Sequence, residues 1–113
     1  MTLGDKQRDF TLKVSYLIQY AYEQGYELTF GDAYRDPRVH GAVGVKDSYS
    51  SARSLHKSRL AVDFNLFQNG KYLTSTDDYL PLGVYWESLG DTCTWGGRFQ
   101  DGNHFSITHQ GRK

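Results

Sequence analysis

The chain has 113 residues, of which 38% are hydrophobic, and this is enough to form one small core but not two. Thirteen basic residues balance thirteen acidic ones, so the overall charge favours neither nucleic acid nor an acidic membrane surface as a partner. Cys93 has no second cysteine to pair with, which excludes an intramolecular disulfide and a thiolate zinc cage. We therefore expect a single domain over residues 1–113, monomeric, with no nucleic-acid partner and no stable membrane association.

The N-terminal stretch MTLGDKQRDF lacks the apolar core of a signal peptide. No run approaches the roughly 18 apolar residues of a membrane span. We expect the protein to be made and retained in the cytoplasm unless something else releases it.

The first predicted element is a helix from about Asp5 to Gln24, with Gly25 placed to end it. Its apolar residues recur at helical spacing: Phe10, Val14, Leu17 and Ala21. A short strand over Tyr26–Phe30 follows. The polar segment from Gly31 to Arg53 then predicts a long loop, of the kind that is often functional or mobile.

The next predicted strand is SRLAVDFNLF, in which apolar and polar residues alternate. It buries Leu60, Val62, Phe64 and Leu66 and turns Asp63 to the other face. Asn69-Gly70 predicts a hairpin turn into the strand KYL.

A second helix is predicted between Thr76 and Leu89, although Gly83 weakens it. After WGGRF and a turn at Gln100–Asn103, the pattern HFSIT predicts a last strand that sends His104 and Phe105 to opposite faces. This order of elements predicts an α+β fold with a small antiparallel sheet flanked by helices.

Three side chains on these elements could bind a catalytic zinc, which usually takes three nitrogen or oxygen ligands and leaves a position for water. They are His56 at the entrance to the central strand, Asp63 on its polar face, and His104 at the start of the last strand. Such a site would lower the pKa of a bound water toward about 7. Asp101, three residues before His104, is tethered close enough to act as the general base.

Each of these residues also has a simpler interpretation. A histidine at a strand edge is often a surface or hydrogen-bonded residue, and Asp101-Gly102 suits an ordinary turn. Asp63 would be costly to bury unpaired, but an exposed sheet face would accommodate it. Spacing alone leaves these alternatives open.

The residues Ser54, His56, Ala61 and Asp63 resemble the Ser-x-His-x-x-Gly-x-Ala-x-Asp motif of the zinc peptidases that cleave D-Ala-D-Ala or L-Ala-D-Glu bonds in peptidoglycan. This family includes VanY-type carboxypeptidases and phage endolysins, and its fold also resembles the signalling domain of hedgehog proteins. The stretch Asp101-Gly-Asn-His104 is similar to the family's second motif. The resemblance, which spans roughly Ala33 to Ile107, implies Zn²⁺ on His56, Asp63 and His104, and Asp101 as the base.

The resemblance also suggests residues that bind substrate. Tyr34-Arg35 is similar to the family's Tyr-Arg segment, in which the arginine meets the substrate carboxylate or the developing oxyanion; a salt bridge to Asp32 or Asp36 is the alternative. Ser54 would contact the peptide backbone, or cap the strand. Arg59 stands at the motif's glycine position, and we expect it to share a face with Asp63 and line the groove, or to cover apolar surface with its stem.

Taken together, these residues predict a zinc metallopeptidase that hydrolyses an amide bond in the peptidoglycan stem peptide. Asp101 stands where the carboxypeptidase branch typically has Glu, which favours a phage endolysin of the L-alanyl-D-glutamate endopeptidase type. It would wait in the bacterial host cytoplasm until lysis and act in the periplasm or cell wall. The alternatives are a D-alanyl-D-alanine carboxypeptidase or dipeptidase, and a non-catalytic zinc-stabilised binding module. We expect His40, His109 and Glu87 to be exposed and outside the site.

Overall fold

The computed structural model describes residues 1–32 and 55–110. These residues form an α+β fold with an antiparallel sheet, which confirms the predicted fold class. The helices are α1 (Leu3–Glu23) and α2 (Leu80–Ser88), and the strands are β1 (Glu27–Phe30), β2 (Ala61–Gln68), β3 (Lys71–Leu73), β4 (Cys93–Trp95) and β5 (His104–Ile107).

Helix α1 begins in a capping box. The Thr2 hydroxyl accepts a hydrogen bond from the Asp5 amide, and the Asp5 carboxylate accepts one from the Thr2 amide, both at 3.1 Å. The helix therefore starts two residues before the predicted Asp5. At its other end Gly25 adopts a φ of 87°, the left-handed conformation expected of a glycine that ends a helix.

Strand β2 is the centre of the sheet. It pairs with β1 along one edge, where Phe64 faces Phe30 and Phe67 faces Glu27. Strands β5 and β3 both lie along the opposite edge, β5 beside the first half of β2 and β3 beside the second half, and β4 lies outside β5. The predicted Asn69-Gly70 hairpin joins β2 to β3, and both turn residues have positive φ, as a type I′ turn requires.

The two faces of the sheet have different roles. The alternation in β2 buries Val62, Phe64 and Leu66 on the face that packs against the helices, as predicted. This core also contains Trp86 of α2, whose ring meets Phe10 and Phe105 edge-on. Asp63 and its partner on β5 therefore project from the opposite face.

The predicted second helix is present, with a first turn of 3₁₀ type over Thr76–Tyr79 that leads into α2. Gly83 has a low helix propensity, but packing explains why a glycine stands at this position. A Cβ here would overlap the Trp95 ring. The glycine lets α2 lie directly on β4. Within the described residues, neither helix carries an apolar stretch suited to crossing a membrane.

The predicted position of Arg59 on the strand is wrong. Strand β2 begins at Ala61, and Arg59 is a turn residue with a φ of 58°. This left-handed residue redirects the chain from the 3₁₀ turn Leu55–Ser58 into β2, which explains why glycine suits the position. The Arg59 side chain borders an apolar cavity of about 280 Å³ between α1 and the sheet, which fits the alternative that its stem covers apolar surface.

The conformation of Arg59 predicts the outcome of two substitutions. Arg59→Gly should be more stable than Arg59→Ala by about 1 kcal/mol, because both lose the side chain but only glycine adopts positive φ without steric cost. Urea unfolding of the two variants measures this difference. Equal stabilities would show that the left-handed conformation carries no strain here.

Candidate metal centre

The register of β2 with β5 brings two candidate ligands together. Asp63 lies directly opposite His104 in this antiparallel pair, and Val62 lies opposite Phe105. Because directly paired residues project from the same face, Asp63 and His104 meet on the face that the helices leave uncovered. The Nδ1 atom of His104 lies 3.3 Å from Oδ1 of Asp63.

The third candidate, His56, comes from the 3₁₀ turn Leu55–Ser58, all of which is buried. The turn is fixed from two sides: the Leu60 amide donates to the Leu55 carbonyl at 2.9 Å, and Gln7 of α1 donates to the Ser58 carbonyl at 2.9 Å. The Nε2 atom of His56 consequently lies 3.3 Å from the same Oδ1 of Asp63.

These three residues fit a metal ion. One ligand atom from each of His56, Asp63 and His104 lies within 4.8 Å of the other two. The two imidazoles are 2% and 6% exposed, and the second nitrogen of His104, Nε2, is buried without a hydrogen-bond partner among the described residues. Buried imidazoles gathered around one carboxylate oxygen are typical of a coordinating group, and a two-histidine, one-carboxylate set is a zinc ligand set.

The carboxylate of Asp63 is held in its charged form. Burial raises the pKa of Asp63, but hydrogen bonds from His104 and His56, and then the charges of these two imidazoles, outweigh burial and lower the pKa to about 2. Asp63 therefore offers an anionic oxygen throughout the neutral range. An anionic oxygen is what a divalent cation requires of it.

Asp101 lies at the rim of this centre. Its Oδ2 atom is 3.9 Å from Nδ1 of His104, and its side chain is 51% exposed. Gln100 before it has a φ of 67°, the Asp101 amide donates to the Gly96 carbonyl at 2.8 Å, and the His104 amide donates to the Asp101 carbonyl at 3.1 Å. The tight turn thus places a carboxylate beside the ligands and open to solvent, where a general base can reach water.

Trp95 packs against the turn that carries Asp101 and stabilises it. Its indole Nε1 donates to the Gly102 carbonyl at 2.7 Å, and its ring is so close to Gly83 and Gly97 that a Cβ at either position would overlap it. A Cβ at Gly96 would likewise overlap the Asp101 carbonyl. The glycines after Trp95 indicate from the sequence that the chain turns closely here, but the hydrogen bond from Trp95 to Gly102 was not predicted.

Glu87 and His109 have structural roles, and neither is exposed. Glu87 accepts hydrogen bonds from Arg98 at 2.7 Å and from the Trp95 amide at 3.3 Å, and the Arg98 bond lowers its pKa. Glu87 therefore holds the Trp95 segment. His109 is half-buried, with Nδ1 3.1 Å from Lys6 Nζ. The prediction that these two face solvent is wrong, because each packs against a neighbouring element.

Nearly all of the predicted loop from Gly31 to Arg53 lies outside the described residues, and so do Tyr34, Arg35, Asp36, His40 and Ser54. Their predicted roles, substrate binding for Tyr34, Arg35 and Ser54 and oxyanion stabilisation for Arg35, remain predictions. The same holds for substrate binding by Arg59.

The low pKa of Asp63 predicts a pH dependence of stability. A depressed pKa in the folded state contributes stability above the unfolded pKa of about 4, and this contribution is lost as the pH falls through about 2. Between pH 5 and pH 2 the metal-free protein should lose about 2 kcal/mol more of its free energy of unfolding than Asp63→Asn does. Urea unfolding of both proteins across this range measures the difference. Parallel losses would mean that Asp63 is not held by the two histidines.

Comparison with known proteins gives two findings. The family model described as D-alanyl-D-alanine carboxypeptidase, of the M15 peptidases, matches residues 48–107. The fold is similar to that of the L-Ala D-Glu endopeptidase ChiX from Serratia marcescens, with a TM-score of 0.63 and 20% identity over 93% of this chain and 85% of that one. A search of curated proteins gives no match. The matched residues make up more than half of the chain and contain His56, Asp63, Asp101 and His104, and the chain therefore belongs to the D-alanyl-D-alanine carboxypeptidase family of M15 peptidases.

Proposed function

We propose that this peptidase is a zinc-dependent peptidoglycan hydrolase that cuts the stem peptide between L-Ala and D-Glu. The observation that carries the proposal is the convergence of His56, Asp63 and His104 within 4.8 Å, with the Asp101 carboxylate 3.9 Å from His104. Three ligands next to one acid is the arrangement that metal-assisted amide hydrolysis needs.

The chemistry divides between the metal and the chain. A zinc ion bound by His56, Asp63 and His104 would supply a Lewis acid for the scissile carbonyl and lower the pKa of water at the site. Asp101 accepts the proton of the attacking water and returns a proton to the leaving amine nitrogen. Its half-exposed position suits both steps, because it is open to water and to substrate while the backbone of its turn is hydrogen-bonded.

The remaining side chains keep the ligands in place. Asp63 faces both imidazoles through one oxygen, at 3.3 Å each, so its charge orients the two rings toward a common point. Burial of His56 and His104 excludes bulk water from the side of the centre that faces the protein. Within residues 1–32 and 55–110, Asp101 is the exposed side chain beside the centre, so its side is open to solvent.

The choice of bond rests on two observations. The base position holds Asp101, as in the L-alanyl-D-glutamate endopeptidases that the sequence resembles, and a protein of similar fold is named as an L-Ala D-Glu endopeptidase. A D-alanyl-D-alanine carboxypeptidase is the second candidate, because it is the activity in the description of the matching family model. A metal-stabilised binding module has no use for an acid beside the ligands, so Asp101 disfavours it.

The role of Asp101 is tested by Asp101→Asn, with Asp91→Asn as the matched control, since Asp91 is also an exposed aspartate in a turn beside a glycine. We expect Asp101→Asn to lower kcat at least 100-fold, because general acid–base catalysis contributes about 10² to 10⁴. Zinc content by mass spectrometry of the native protein should remain one ion per chain in both variants.

Wild-type activity in Asp101→Asn would overturn the role of Asp101 as the base. Loss of zinc from that variant would instead show Asp101 to be a ligand.

The bond is identified from the fragments that the zinc-loaded protein releases from purified peptidoglycan, with a chelated sample as control. We expect new amino-terminal D-Glu ends that disappear with the chelator. Free D-Ala would identify the carboxypeptidase. Intact peptidoglycan with zinc still bound would favour the binding module.

The predicted role in phage lysis is part of this proposal and stays a prediction. It requires that the chain remain inside the host cell until the membrane is opened. Fractionation of cells that express it, before and after the membrane is permeabilised, tests this directly, and wall damage before permeabilisation would contradict it.

A further inference from the structure

A polar groove opens next to the centre at a gap in the sheet. Strands β5 and β3 share one edge of β2, and the gap between them falls at Phe64 and Asn65. At this gap the Phe64 amide donates to the Asn103 carbonyl at 3.0 Å, and Tyr79 donates its hydroxyl to the Phe64 carbonyl at 2.9 Å. The backbone amide and carbonyl of Phe64 therefore have hydrogen-bond partners although no strand lies beside them, and an open space remains at the gap.

This space has a volume of about 230 Å³. One wall is the turn that carries Asp101, and the other is the chain from β3 to the 3₁₀ turn Thr76–Tyr79. Nearly all of its lining side chains end in a hydroxyl, an amide or a carboxylate: Tyr72, Thr74, Thr76, Tyr79, Gln100, Asp101 and Asn103. Such a lining suits the amide groups of a peptide, which need hydrogen-bond partners when they leave water.

The groove lies on the same face of the sheet as the metal centre. Asn65 is two residues after Asp63 on β2 and projects from the same face, and Tyr72 pairs with Phe67 and so projects from that face too. The Tyr72 hydroxyl lies 3.5 Å from the Asn65 side-chain oxygen. Asp63, Asn65 and Tyr72 therefore lie on one face of the sheet, and Tyr72 is the member of this row that also lines the groove.

Asp101 determines which part of a substrate occupies the groove. It belongs both to the rim of the centre, 3.9 Å from His104, and to the groove wall. Under the proposed function Asp101 returns a proton to the leaving amine, so that nitrogen must come within hydrogen-bonding distance of its carboxylate. The residues that follow the scissile bond then continue past Asp101 toward Tyr72 and Thr74.

We infer that this groove is the subsite for the leaving side of the stem peptide, and that Tyr72 and Thr74 are specificity-determining residues that select an extended leaving fragment over a single amino acid. The inference rests on the proposed function. It assigns to the groove the D-Glu residue and the amino acid linked after it.

The test compares three synthetic substrates with the zinc-loaded full chain. The first is the dipeptide L-Ala-D-Glu, the second extends it after D-Glu with a γ-linked L-Lys, and the third extends it before L-Ala with an acylated Gly. The proteins are wild type, Tyr72→Phe/Thr74→Val, and the control Tyr16→Phe/Thr92→Val, whose residues are exposed on α1 and before β4. The readout is the ratio of kcat/KM between an extended substrate and the dipeptide. This ratio does not depend on the fraction of the protein that is folded and zinc-loaded, because that fraction affects both values equally.

We expect wild type and control to prefer the γ-extended substrate, and the groove variant to reduce that preference about tenfold, the effect of roughly 1.4 kcal/mol from two lost hydrogen bonds. The preference for the acyl-Gly substrate should be the same in all three proteins. An unchanged γ-extension preference in the groove variant, or a changed preference for the acyl-Gly substrate, would overturn the inference. Failure of wild type to cleave any of the three would instead disprove the proposed function.

Discussion

The register between β2 and β5 is the constraint on which the candidate centre depends. Side chains alternate along a strand, so a slip of one residue in this pair would send Asp63 into the core and bring Val62 to the site. The burial of Val62, Phe64 and Leu66 under the helices makes that slip costly. The hydrophobic core on one face of the sheet thus fixes the position of the charged group on the other face.

Asp101 is positioned by different means, because it lies on a turn and not on a strand. The indole of Trp95 holds the turn through its hydrogen bond to Gly102. The ring lies against Gly83 and Gly97, and the backbone amide of Trp95 donates to the Glu87 carboxylate. A rigid aromatic side chain beneath a short loop gives an exposed carboxylate a defined place near His104. The same turn forms a wall of the groove, so the position of the acid and the shape of the groove depend on one support.

Sequence reasoning worked where local pattern determines structure. The alternation in β2 and β5, the Asn69-Gly70 hairpin and the helix end at Gly25 are all decided within a few residues, and all are present. It failed at Arg59, which continued the strand pattern although the chain turns there in a left-handed conformation. The helix over Thr76–Leu89 was predicted in spite of Gly83, but the sequence did not show why a glycine stands there, because the ring that approaches it, Trp95, belongs to another segment.

The sequence by itself determined which residues could carry the chemistry, since two histidines, an aspartate on a polar strand face and an acid beside the second histidine are visible in the spacing and in the family resemblance. It left open whether they meet, because His56 and His104 are separated by 48 positions and no local pattern sets that distance. Only the tertiary structure brought them to one carboxylate oxygen, through strand pairing and a buried turn. The groove beside Asp101 was decided there as well, because it arises where two strands share one edge of β2, which is a property of the sheet and not of any segment within it.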